Sequence, residues 1–276
     1  MENTAKDKIL SELHISHSQI FTYLACSLKY RFKYVLGMPA EKISIALPFG
    51  TAIHKAIESY YQGFAQGRLE KLSLLQGIFT DALQDRLARN ESPIVYNKTM
   101  PDEKSAVSMG AEMILAFHES TDPKGWTVKG IEMPLSAQLY TDTGEVTELK
   151  MVGFIDLLLE DPNGQLVVVD HKTAARAKSQ TEVDSDLQMT AYSYLLAANR
   201  FVFPTAPVKG RFDVLRKLKT PKLEYYHTQR TAEDRRRLAK IATGVLSGIE
   251  ASVYIPNRSW MCGDCEHAKA CADWHR

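Results

Sequence analysis

Two short apolar runs, one holding an aspartate and the other ending in one, constrain this chain more than any other feature. Gly153-Phe-Ile-Asp156-Leu-Leu-Leu159 and Gln165-Leu-Val-Val-Val-Asp170 flank Asp161-Pro162-Asn163-Gly164, which has the composition of a tight hairpin turn. The pattern predicts strands over about 150–160 and 165–171. The second run is almost continuously apolar, so it is expected at the centre of a sheet with both faces covered. An ionised carboxylate in such a run is costly unless it is paired or metal-bound, so Asp156 and Asp170 need partners. If the two strands pair, both acids can point into one cleft, where hard oxygen ligands suit Mg²⁺ or Mn²⁺. Lys172 lies two residues beyond Asp170 and so projects from the same strand face.

That trio fits phosphodiester hydrolysis. A divalent ion neutralises phosphate charge and acidifies a bound water, while an ammonium beside it orients the water and steadies developing charge. Asp-x-Lys alone more often marks a strand end with a surface lysine. Two further features add to it. Gly50-x-x-x-His54-x-x-x-Glu58 sets His54 and Glu58 one turn apart on a mostly apolar helix, offering an imidazole to a metal. Gln188-x-x-x-Tyr192 places an amide and a phenol on one face of the helix after the lysine strand, suited to phosphate or nucleobase contacts.

The rest of the chain reads as helix, then mixed strand and helix. Helices are expected over about 16–34, which would carry Cys26, after Pro48 and Gly50, and over about 71–90 and 103–119. Val128, Ile131, Met133 and Leu135 read as strand, a helix follows at about 184–199, and a strand pair at about 209–217 and 223–228. Thr231 and Asp234 form a candidate capping box for a helix over about 232–250. This is one α/β domain of 276 residues: a central mixed sheet flanked by helices, with a helical N-terminal cover and a cysteine-rich C-terminal tail. The polar opening and the lack of a long apolar run point to a cytosolic protein. Lys plus Arg (34) nearly cancels Asp plus Glu (33), so nucleic-acid contacts would come from the local basic clusters Lys29, Arg31 and Lys33; Lys172, Arg176 and Lys178; Arg216, Lys217, Lys219 and Lys222; or Arg235, Arg236 and Arg237, with Tyr30, Phe32, Tyr225 and Tyr226 available for base stacking.

The four cysteines are Cys26 and the compact set Cys262-x-x-Cys265 and Cys271. A cytosolic chain disfavours disulfides. Four thiolates suit structural Zn²⁺ or a [4Fe-4S] cluster, and spacing alone leaves both open.

Together, Gly50/His54, Gly153/Asp156, Asp170-His171-Lys172 and Gln188/Tyr192, in this order, resemble the PD-(D/E)XK nuclease superfamily, specifically its RecB-like branch. The resemblance implies a restriction-endonuclease-like core. It also implies a metal bound by His54, Asp156, Asp170 and the backbone carbonyl of His171, with Lys172 assisting the attacking water and the Gln188/Tyr192 helix contacting DNA. The His171 imidazole departs from the pattern, since an apolar or aromatic residue is commoner there, and is assigned no role; Glu58 and Glu132 are expected near the site, neither as a ligand. One remote cysteine with a C-terminal Cys-x2-Cys-x5-Cys is similar to the iron-sulfur nucleases of that branch, among them RecB-like CRISPR-associated nucleases and AddB-type nuclease domains. This implies a [4Fe-4S] cluster on Cys26, Cys262, Cys265 and Cys271 that staples the tail to the first helix. The expected activity is that of a DNA exonuclease preferring single-stranded ends, working in repair, recombination or CRISPR adaptation. No Gly-x-x-x-x-Gly-Lys-Ser/Thr signature is present, so unwinding would need a helicase partner. The alternatives are a non-catalytic DNA-binding or assembly module and a zinc-stabilised regulator.

Overall fold

The computed structural model describes residues 5–275; residues 1–4 and 276 lie outside it. Helix α1 (Ala5–Leu10) precedes strand β1 (His14–Ser16), helix α2 (His17–Ala25) and the single-turn α3 (Ser27–Tyr30), which runs into a π-helical turn over Arg31–Val35. Next come β2 (Ile43–Ser44), α4 (Ala46–Ala65), α5 (Leu72–Ala88), β3 (Ile94–Val95) and α6 (Glu103–Ser120). The sheet-forming part contains β4 (Thr127–Tyr140), β5 (Val146–Glu160), β6 (Leu166–Ala174), α7 (Gln180–Asp184), α8 (Leu187–Ala198), β7 (Val208–Arg216) and β8 (Lys222–Arg230). The C-terminal part is α9 (Ala232–Glu250), a 3-10 turn over Trp260–Cys262 and α10 (Ala268–Trp274).

The predicted hairpin is present. Asp161 N–H donates to the Gln165 carbonyl at 2.9 Å, the Asp161 carboxylate accepts from the Asn163 and Gln165 N–H groups, and Gly164 takes the left-handed φ of 76° that the turn demands. β6 is central as expected, antiparallel to β5 and parallel to β7, with Val167, Val168 and Val169 buried. The main sheet runs β1-β5-β6-β7-β8, with β4 on the other edge of β5.

Two expected helices are broken. Ser16 does open α2 with a capping box shared with Gln19, but Cys26 is extended (φ −164°, ψ 103°) and separates α2 from α3, so it is not inside a helix. Apolar spacing continues on both sides of such a one-residue break, which hides it from periodicity. The helix expected over 184–199 starts instead at Leu187, because the Asp186 carboxylate takes the Gln188 and Met189 N–H groups as its N-cap. β1 was not foreseen, being too short to show alternation; it pairs in parallel with Lys150–Val152 of β5.

The core has a layer on each side of the sheet. One side packs α4, α5 and α6 around Phe49, Phe79, Met113 and Phe117; the other packs α2, α8 and α9 around Ile20, Tyr192, Leu195 and Leu238. Helix α8 comes close to β5 because residue 153 is glycine: a Cβ there would lie 2.7 Å from Leu195 Cδ1.

The register positions the site. β5 and β6 pair only from Glu160↔Leu166 to Leu157↔Val169, whereas β6 stays beside β7 as far as Ala174↔Arg216. The same edge of β5 is taken up by β1 at Lys150–Val152. Residues 153–156 therefore face an open notch between β1 and β6, and both aspartates lie at that fork.

Candidate active site

At the fork, the backbone N–H of His171, no longer bonded to β5, donates to Asp156 Oδ2 at 2.8 Å. The splay of the strands thus both exposes and orients the first acid. Asp170 is fully buried, and its carboxylate lies 2.8 Å from Lys172 Nζ. Gln188, in the first turn of α8, bridges the pair: its Nε2 donates to Asp170 Oδ1 at 2.6 Å and its Oε1 accepts from Lys172 Nζ at 2.9 Å. Burial opposes charge on Lys172, but Asp170 and Asp156 outweigh it and hold the ammonium above its ordinary pKa. Burial, followed by the nearby charge of Asp170, pushes Asp156 well above the usual carboxylate range.

His54 reaches the fork from α4. Its Nε2 lies 2.8 Å from the His171 carbonyl oxygen and its Nδ1 3.5 Å from Asp156 Oδ2. A carbonyl can only accept, so Nε2 carries the proton in this arrangement and Nδ1 presents a lone pair toward a carboxylate. Burial lowers the pKa of His54, keeping the imidazole neutral and available as a ligand.

Ligand atoms of His54, Glu132 and Asp156 lie within 4.8 Å of one another. Lone pairs gathered this closely repel unless a proton or cation sits among them, so the donor set suits a divalent metal. Glu132 had not been named as a ligand. The pairs Ile131↔Leu157 and Met133↔Ile155 leave it opposite Asp156 on β4. It also holds a left-handed φ of 45°, a conformation that costs a non-glycine residue about 1–3 kcal/mol and tends to persist at functional sites. Glu58 lies elsewhere, bonded to Lys55 at 2.6 Å and to Gln62 at 3.0 Å.

Three other expected residues are used differently. Tyr192 is buried, accepting from Gln188 Nε2 and donating to the Phe154 carbonyl, both at 2.7 Å. Its phenol therefore holds Gln188 in place and does not reach out to phosphate or base. Tyr30 and Phe32 are also buried, at 7% and 6% exposure, so neither offers a stacking face: Phe32 meets His267 of the cysteine-rich tail, and Tyr30 packs against Tyr23 and Tyr34. The His171 imidazole is buried between Tyr61 and Phe117, with Nδ1 3.8 Å from Asp156 Oδ2 and Nε2 4.0 Å from Asp213, which forms a buried pair with Arg211.

His17 was also not singled out. At the start of α2 its ring lies 6.4 Å from that of Tyr192 and within the field of Lys172, Asp170 and Asp186. Burial first, and then Lys172, push it down to about 4.

The four cysteines are free and line one apolar cavity of about 480 Å³. Burial raises the Cys271 thiol, and the other three cysteines raise it further, which places all four within electrostatic reach of one another. The tail is tied to the N-terminal segment around them. Leu28 N–H donates to the Ile255 carbonyl, Ile255 N–H to Ser27 Oγ, Glu41 accepts from the Lys269 and Ala270 N–H groups, and Lys29 and Lys33 pair with Glu266. Four convergent thiols suit a thiophilic metal or cluster.

Comparisons with known proteins agree with the fold. No match was found among curated proteins. A crystal structure of a "Putative exonuclease" from Eubacterium rectale is 12% identical, with a TM-score of 0.58 over 97% of this chain and 93% of that one. A second crystal structure, of SSO0001, is 15% identical over 90% of this chain and 94% of that one, but its TM-score of 0.33 carries no weight. The family model of the PD-(D/E)XK nuclease superfamily matches residues 14–272. Spanning both the fork and the cysteines, that match shows that this chain belongs to the PD-(D/E)XK nuclease superfamily.

Proposed function

We propose that the protein is a metal-dependent deoxyribonuclease of the RecB-like kind whose reaction occurs at the fork of β5 and β6. The observation that carries this reading is the meeting of Asp156, Asp170 and Lys172 with His54 in one cleft, with the lysine 2.8 Å from Asp170. His54, Asp156, Asp170 and the His171 carbonyl would hold Mg²⁺ or Mn²⁺, with Glu132 as a further candidate. Such a cation neutralises charge on the scissile phosphate and lowers the pKa of a bound water. Lys172, kept protonated by its carboxylate neighbours, orients the attacking water and stabilises charge building on the phosphate. Gln188 fixes the Asp170–Lys172 geometry, and Tyr192 fixes Gln188.

The four thiols would hold a [4Fe-4S] cluster in a structural role. The convergence of Cys26, Cys262, Cys265 and Cys271 supports it, and the family resemblance favours iron-sulfur over zinc. Free thiols suit a reducing cytosol. Exonuclease action on single-stranded ends, in repair, recombination or CRISPR adaptation and with a helicase or adaptation partner, rests on the same resemblance.

The test is cleavage of end-labelled single-stranded and duplex DNA by anaerobically purified protein with Mg²⁺ or Mn²⁺. Metal-dependent cutting that disappears in Asp170→Ala supports the assignment, and the product ladder reports end preference. Folded protein that binds DNA and never cuts would move the reading to the non-catalytic module.

A further inference from the structure

Lys217 differs from the lysines around it. It directly follows β7, its backbone N–H bonded at 2.8 Å to the carbonyl of Ala174, the last residue of β6. Its Nζ lies 4.8 Å from the ring centroid of Phe49, in the first turn of α4. Lys55, Lys172 and Lys178 each have a carboxylate within 4 Å: Glu58 at 2.6 Å, Asp170 at 2.8 Å and Asp186 at 3.6 Å. Among the described residues no carboxylate pairs with Lys217, and its charge is met by the face of an aromatic ring alone. Burial by itself pulls the ammonium down to about 8, with no neighbouring charge offsetting it. A half-buried cation in that position is costly until an anion arrives.

Its place in the fold says which anion. From Phe49 to His54 is five residues of α4, or about 7.5 Å of helix rise. Between them stands Gly50, where an added Cβ would meet only Thr173 Oγ1 at 4.0 Å. The wall between Lys217 and the carboxylate fork is therefore low, made of a glycine on α4 and a threonine on β6. A strand advancing about 3.4 Å per nucleotide covers that offset in about two steps.

We infer that Lys217 receives a backbone phosphate one or two nucleotides from the scissile one, extending the substrate track beyond the metal site along the first turn of α4. The inference rests on the nuclease reading above.

The test is fluorescence anisotropy of a labelled single-stranded oligonucleotide, in chelator so that nothing is cut, over a series of salt concentrations. Lys217→Ala should bind about 3–10-fold more weakly at moderate salt and flatten the slope of log K against log salt by about 0.7, one phosphate contact on a single strand. Lys217→Arg should restore both, and Lys217→Ala should unfold at a temperature no lower than the wild type. A wild type that binds while Lys217→Ala keeps its affinity and slope would overturn the inference and leave the nuclease reading standing. A wild type with no salt-dependent binding would overturn both.

Discussion

The carboxylate fork and the cysteine cavity are built in opposite ways. The fork is set by strand register: β5 leaves β6 after Leu157↔Val169, and the groups released there bond at once to one another and to Gln188 of α8. The cysteine cavity brings together a helix break at Cys26 with the 3-10 turn and α10 that follow α9, across more than two hundred residues of sequence. Its inner face is apolar, and the contacts holding it are a few backbone bonds and half-exposed ion pairs. The first region is held by hydrogen bonds among its own groups. The second has little of its own to hold it, so binding free energy at four thiols would become folding free energy for the tail.

The largest effect is expected at the fork. Asp170→Ala removes the acid that pairs with Lys172 and accepts from Gln188, so single-turnover cleavage should fall by about 10³ or more. Leaving that ammonium half-buried without its partner should cost about 3 kcal/mol in denaturant unfolding. Next, Cys271→Ser should lose bound iron and visible absorbance and lower Tm by about 5–10 °C, as a loss near 3 kcal/mol would in a chain of this size, while Mn²⁺ binding at the fork survives. Full iron content and unchanged Tm in that variant would erase the contrast between the two regions. Gly153→Ala forces Leu195 and Tyr192 away from β5 and should cost about 1–3 kcal/mol in chemical unfolding. Gly50→Ala, with open space around its Cβ, should leave stability within about 0.5 kcal/mol of wild type or slightly raise it.

A further effect shows only as pH is lowered. His17 is pushed down to about 4 in the folded protein, chiefly by burial. Below the ordinary histidine pKa near 6.5 the unfolded chain takes up a proton that the folded one refuses, so stability falls as pH drops from about 6.5 toward 4. His17→Gln should flatten that part of a stability-against-pH curve; an unchanged curve would remove His17 from the buried field of the fork.

The parts of the site legible in sequence were those whose chemistry conflicts with their surroundings. Aspartates in apolar strands and a lysine at strand period from one of them led directly to Asp156, Asp170 and Lys172. Gln188 and Tyr192 were legible as a pair on one helix face, but only burial shows that the phenol positions the amide. Glu132 could be set near the site but not assigned as a ligand, because one acid in a half-buried strand carries no pattern; its place comes from register and a left-handed backbone. His17 escaped for a related reason, since it stands at the end of an element that meets the cleft only after distant segments pack, and Lys217 was legible only as one member of the basic cluster Arg216, Lys217, Lys219 and Lys222. Tyr30 and Phe32 looked like stacking residues because aromatic rings near basic ones read the same whether they face solvent or pack against other rings of the fold.

The most direct test of the central claim separates holding the metal from using it. In Lys172→Ala, Mn²⁺ affinity measured by electron paramagnetic resonance should stay within a few-fold of wild type, because the His54–Glu132–Asp156 group remains, while single-turnover cleavage falls by about 10² or more. Cleavage at the wild-type rate in a variant that still binds Mn²⁺ would contradict the account of the fork as the nuclease site.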